Sequence, residues 1–113
     1  MKKSIFELQA DICKTFSNPK RLEIINLLKE KEMSNSELMQ MTGLSKVNIS
    51  QHMNVLKSKG VVLIRREGVV LYHRIANPKI VQACTLMREV LMEQLQEDER
   101  IVSGLIKTSN ETS

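Results

Sequence analysis

The sequence predicts a mainly helical chain carrying one small β hairpin, and three observations lead there. Residues 45–60 read as a short helix with a narrow apolar edge, Ile49, Met53 and Leu56, at i, i+4 and i+7. Its opposite edge carries Val47, Ser50, Gln51, Asn54 and Ser58, almost uncharged but rich in hydrogen-bonding groups. Before it lies a second helix signal ending in the tight turn Thr42-Gly43-Leu44. After it comes a basic hairpin over residues 64–74 containing Arg65, Arg66 and Arg74. Helix, turn, helix and basic hairpin make the layout of a winged helix-turn-helix, here five helices plus a wing. A polar, uncharged helix face suits the reading of base edges in a DNA major groove.

Each element has its own signal. A first helix is expected over residues 4–16, with Ile5, Leu8 and Ile12 on one apolar edge and Phe6, Ala10 and Cys13 on another. A helix exposed on one side needs one stripe, so two stripes predict a second contact. Asn18-Pro19 starts the next helix, because Asn caps well and Pro is tolerated at the first helical position. Leu22, Ile25 and Leu28 give its buried face, and the charged run Lys29-Glu30-Lys31-Glu32 closes it.

Ser34-Asn35-Ser36-Glu37 matches a capping box opening a third helix that carries Leu38 and Met41. Gly43 supplies the turn, Ser45 caps the fourth helix and Gly60 suits its stop. Residues 61–75 are rich in β-branched and aliphatic side chains, with Glu67-Gly68 as the expected two-residue turn and the Tyr72 ring packed beneath the wing.

Asn77-Pro78 repeats the cap-plus-proline device and starts a last, long helix. Ile80, Cys84, Met87, Leu91 and Leu95 form one stripe on it; Ala83, Leu86 and Val90 form a second. Double stripes on the first and last helices of a small chain predict a homodimer built through both. One domain is expected over residues 1–107, followed by a polar tail over 108–113.

Charge agrees with this layout. The formal net charge is +4. Residues 46–74 hold six positive side chains against one negative, whereas residues 88–100 hold two against five. The positive charge is concentrated on the expected DNA-reading unit, where it attracts phosphates in a salt-dependent way. With 42% hydrophobic but only 3% aromatic residues, the core must be aliphatic. No apolar run approaches the ~18 residues that span a bilayer, and no apolar stretch follows Lys2-Lys3. The expectation is a cytoplasmic protein with no membrane contact and with reduced thiols.

Taken together, these residues resemble the ArsR-type family of winged-helix repressors over residues 12–91. The resemblance rests on Phe16-Ser17-Asn18-Pro19-Lys20-Arg21-Leu22, on Ser36-Glu37-Leu38, and on Gly43-Leu44-Ser45 with Ile49-Ser50-Gln51-His52-Met53. Val55-Leu56, Gly60-Val61-Val62, Arg65-Arg66-Glu67-Gly68 and Leu71-Tyr72 complete it. It implies a homodimer, a recognition helix in the major groove and wings on the flanking backbone or minor groove. It also implies repression of an operon until a metal ion or another inducer lowers DNA affinity.

Two of that family's metal sites do not carry over. Where a Cys-x-Cys pair would precede the third helix, this chain has Ser34-Asn35-Ser36, and its last helix contains no His. Ser and Asn cannot replace thiolates toward soft metals.

The expected DNA-contacting residues are Ser45, Lys46, Ser50, Gln51 and Asn54 on the fourth helix and Arg65, Arg66 and Arg74 on the wing. The partner is a double-stranded operator, an inverted repeat with half-sites about one helical turn apart. His52 has two readings, a phosphate contact or a packing role. Cys13 and Cys84 also have two: small buried hydrophobes, or sensor thiols forming a disulfide, a polysulfide link or a soft-metal site. No other cofactor is implied. Seven methionines at helical spacings read as packing, not as a Cu(I) site. The chain shows no catalytic arrangement of Ser, His and acid, and no phosphate-cradling glycine loop, so no enzyme is expected. The competing reading from another class is a winged-helix protein-interaction module that does not bind DNA.

Overall fold

The computed structural model describes residues 2–112, with side chains described through residue 104 except that of residue 102. Five helices and three strands follow in the order α1 (Ile5–Thr15), α2 (Pro19–Leu27), β1 (Met33–Ser34), α3 (Asn35–Thr42), α4 (Lys46–Ser58), β2 (Val62–Glu67), β3 (Val70–Ile75) and α5 (Pro78–Thr112). They form two compact units, one ending at Val81 and the other starting at Gln82.

Helix ends fall where the sequence placed its caps. Ser4 Oγ accepts from the Glu7 amide, Asn18 Oδ1 from the Lys20 and Arg21 amides, and Ser45 Oγ from the Asn48 amide. The capping box of α3 is complete: Ser34 Oγ accepts from the Glu37 amide and the Glu37 carboxylate from the Ser34 amide, both at 3.2 Å. Gly60 ends α4 at φ +73°. There the Gly60 amide bonds the Lys57 carbonyl and the Val61 amide bonds the Leu56 carbonyl. This pair is the Schellman pattern, and Leu56 and Val61, both fully buried, supply its apolar contact.

The core of the first unit is aliphatic, as the composition required. Ile24, Ile25, Leu28, Met33, Leu38, Ile49, Met53, Leu56, Val61 and Val62 are all buried. One detail differs from expectation. Leu22 is only half-buried, and Ile24 takes the inner place beside Ile25. On α3, Leu38 is buried and Met41 is 58% exposed, while Thr42 turns inward. Thr42 is acceptable there because its hydroxyl donates to the Leu38 carbonyl at 2.6 Å and accepts from the Leu44 amide.

The sheet is larger than a hairpin. Strand order is β1-β3-β2, all antiparallel, with Met33 opposite His73 and Ser34 opposite Tyr72. A two-residue strand of Met and Ser has no periodicity to read, so β1 was absent from the expected elements. The hairpin turn is also shifted by one residue. Glu67 pairs with Val70, which leaves Gly68-Val69 as the loop in place of Glu67-Gly68. Only Gly68 has positive φ, at +62°. A positive φ confined to the first central residue is the requirement of a type II′ turn.

In the second unit, helical backbone continues through Thr112. It thus extends into the segment 108–113 expected as a polar tail, of which Ser113 lies outside the described residues. Propagation adds one hydrogen bond for each further residue fixed, which favours such an extension.

Candidate nucleic-acid interface

Helix α4 is held by its apolar edge. Ile49, Met53 and Leu56 are fully buried, so the rotation of the helix is fixed and the opposite edge must face outward. Lys46, Gln51 and Asn54 are exposed, as is the capping residue Ser45, and Ser50 is half-buried. Val47 stands among them, 65% exposed. Gln51 and Asn54 therefore stand on the outward edge with Ser50 at its flank, while Ser45 and Lys46 are exposed at the N-terminal end of the helix. Gly43, at φ +74°, ends α3 and turns the chain toward α4, which starts three residues later at Lys46.

His52 sits at the edge of that surface and has a structural partner. The Arg21 Nε–H donates to His52 Nδ1 at 3.3 Å, and Arg21 Nη1 donates to the Thr15 carbonyl at 3.2 Å. One guanidinium thus joins the end of α1, the start of α2 and the middle of α4. Burial, aided by the Arg21 charge, holds the His52 pKa below its ordinary value. Its neutral ring is the form that can accept this bond.

The wing divides its residues by strand alternation. Val62, Ile64 and Arg66 pair with Ile75, His73 and Leu71 on the core-facing side; Leu63, Arg65 and Glu67 pair with Arg74, Tyr72 and Val70 on the other. Tyr72 therefore lies on the face away from the core, half-buried, and not beneath the wing as expected. Arg66 and Arg74 are exposed on opposite faces.

Arg65 is placed differently from the other two arginines. Its Nη2 and Nε donate to the Glu32 carboxylate at 2.7 and 3.3 Å, and its Nη1 donates to Glu67 Oε2 at 2.7 Å. The guanidinium carbon is 4.5 Å from the Tyr72 ring centroid. Glu32, bonded to this cation, has its pKa held below the usual carboxylate range.

His73 carries a role the sequence did not reveal. It is fully buried, and its Nε2–H donates to Asn35 Oδ1, joining β3 to the first residue of α3. Its Nδ1 is buried without a partner. Burial holds its pKa below the ordinary value. The signal was the alternation itself: His73 falls in phase with Leu71 and Ile75 on the core-facing side.

The two cysteines have unlike surroundings. Cys84 on α5 is buried, and burial pushes its thiol pKa up. Cys13 on α1 is exposed in the single chain. Among the described residues, no group of three or more His, Cys, Asp or Glu side chains is placed to hold a metal ion. No described helix is long and apolar enough to cross a membrane.

A capped helix with an outward polar edge, a three-residue turn before it and a basic three-stranded wing define the class of winged helix-turn-helix domains. The chain belongs to the ArsR family of bacterial regulatory proteins, whose family model matches residues 18–63. It is 34% identical over 102 residues to the HTH-type transcriptional regulator Rv0081 of Mycobacterium tuberculosis, covering 89% of this chain and 90% of that protein. The crystal structure of Rv0081 superposes with a TM-score of 0.76, covering 85% of this chain and 97% of that one. The transcriptional repressor PagR of Bacillus anthracis is 38% identical over 66% of this chain and 75% of its own length. The homodimeric winged helix-turn-helix DNA-binding domain Mb0332 of Mycobacterium bovis, known in solution, superposes with a TM-score of 0.75 at 31% identity, covering 82% of this chain and 86% of that one.

Proposed function

We propose that this chain is a homodimeric, DNA-binding transcriptional repressor that reads its operator with α4. The observation carrying this reading is the fixed outward edge of α4, where Gln51 and Asn54 stand exposed, with Ser50 beside them and Lys46 exposed at the N-terminal end, on a helix whose inner edge is wholly buried. Ser50, Gln51 and Asn54 supply donors and acceptors for base edges, while Lys46, Arg66 and Arg74 supply positive charge for phosphates. Exposed apolar residues on α1 and α5 support a dimer, and the homodimeric Mycobacterium bovis domain supports it independently. PagR, named a repressor, supports the regulatory sign.

The test is fluorescence anisotropy with the duplex upstream of the chain's own gene and with a random duplex. Wild type should prefer the first, and Ser50→Ala with Gln51→Ala should lose that preference by about 1–3 kcal/mol per base pair no longer read. Failure of wild type to bind either duplex would return the chain to the protein-interaction reading. An inverted repeat protected on two turns of one DNA face is the expected footprint.

Release by an inducer completes the proposal, with Cys13 and Cys84 as its thiols. Cys13 is exposed in the single chain and lies on the α1 stripe assigned to the dimer, whereas burial raises the Cys84 thiol pKa and slows its reaction. Diamide, a polysulfide or a soft metal ion is expected to lower operator affinity in wild type but not in Cys13→Ser or Cys84→Ser. Equal responses in all three proteins would assign both residues to packing.

A further inference from the structure

We propose that Arg65 is a positioning residue that straps the wing to the helix-turn-helix, and that it does not serve as a phosphate contact. This role rests on the DNA-binding reading above and adds to it a residue that acts through others. The strap follows from strand order. β2 is not adjacent to β1; β3 lies between them. Arg65 starts on β2, passes over the ring of Tyr72 on β3, and ends on Glu32, directly before β1. It thus crosses the middle strand and ties the outer edge of the hairpin to the segment leading into α3. That segment is itself fixed: Ser34 caps α3 and lies opposite Tyr72 in the sheet.

The chemistry leaves the guanidinium committed. All three of its nitrogens donate to carboxylates, and one face of its plane lies on an aromatic ring. Planar, fork-like donation to a carboxylate is what arginine does and lysine cannot copy. The charge count points the same way. Glu32 and Glu67 already neutralise the Arg65 charge, and Arg74, whose charge also reaches Glu32, is the cation of this face left for a phosphate. Exposed Arg66 and Arg74 carry no such pair of carboxylates.

The test uses the full chain and labelled operator across a salt series. Arg65→Ala combined with Glu32→Ala keeps the net charge of the chain. The strap predicts about tenfold weaker binding with an unchanged slope of log affinity against log salt. A slope reduced by about 1 would mean a lost phosphate contact and would overturn the proposal. Arg65→Lys keeps the charge but not the fork or the stack, so it should bind as weakly as the double variant; restored affinity would overturn the proposal. A second readout needs no DNA. Tyr72 is the single tyrosine and the chain has no tryptophan, so tyrosine emission reports on the stacked ring alone. Both variants should change it, and unchanged emission would overturn the strap itself. Changed emission in both variants, with a wild type that ignores duplex DNA, would keep the strap, reject the DNA reading, and with it the positioning role.

Discussion

Helices α1 and α4 are nearly equal in length, eleven and thirteen residues, and both are amphipathic, yet they are used in opposite ways. α4 buries Ile49, Met53 and Leu56 completely and shows its polar edge. α1 buries only Thr15 and leaves Ile5 and Phe6 70% and 76% exposed. The difference teaches that an apolar stripe states a need for cover without saying which surface provides it. In α4 the cover is the chain's own core. In α1 it is surface the isolated chain does not supply, and single scattered exposed residues would not need explaining whereas a continuous row does.

The sharpest break of this comparison is truncation at each helix. Leu56→Ala removes a fully buried side chain and should cost about 2–5 kcal/mol in urea unfolding. Ile5→Ala, measured where the chain is monomeric, should change stability by less than about 0.5 kcal/mol. Equal losses would mean that α1 has a covered face after all.

α5 extends the α1 case. Met87 and Leu91 are exposed at 62% and 51%. Met87→Glu would place a charge in an apolar seam of the dimer, where it lacks a partner. Sedimentation at micromolar concentration should then shift from twice 12.9 kDa toward a single chain, with association weakened about tenfold or more. A dimer of unchanged strength would remove α5 from the seam.

A smaller effect tests how α4 is stopped. Gly60 holds φ +73°, and a Cβ there would meet nothing within 4 Å. The cost of Gly60→Ala is therefore backbone strain alone, about 1–2 kcal/mol. Loss well beyond that would mean the Schellman turn itself had come apart.

What was readable before the structure follows the same physics. Caps, breakers and buried edges are local, so Ser34, Ser45, Gly43, Gly60 and the stripe of α4 could be placed from residue spacing. The outward edge of α4 came with them, since fixing one side of a helix fixes the other. Cross-strand and side-chain partnerships are not local. β1 pairs two residues across about forty positions, and Glu32 meets Arg65 across 33. Three wing arginines looked alike in sequence, but only one is enclosed by carboxylates. Cys13 and Cys84 both lay on apolar stripes, and only the structure separates an exposed thiol from a buried one.

The smallest expected effect concerns two joints of the first unit, one made by α4 and one by the wing. His52 accepts from Arg21, and buried His73 holds Asn35 while its Nδ1 has no partner. Both pKa values are lowered from the model-peptide value of 6.5, in each case mainly by burial. Below about pH 6.5 the unfolded chain therefore binds more protons at these sites than the folded one, and stability falls with pH. Above that value the contribution is complete and flat. Urea unfolding should show a constant stability between pH 8 and 7 and a decline from about 6.5 to 5.5, before carboxylates such as Asp11 and Glu32, held low by Lys3 and Arg65, begin to titrate. His52→Gln should reduce the decline and leave the His73 share. Stability that holds or rises on acidification through this window would show that neither ring is kept neutral by the fold, and both joints would need another account.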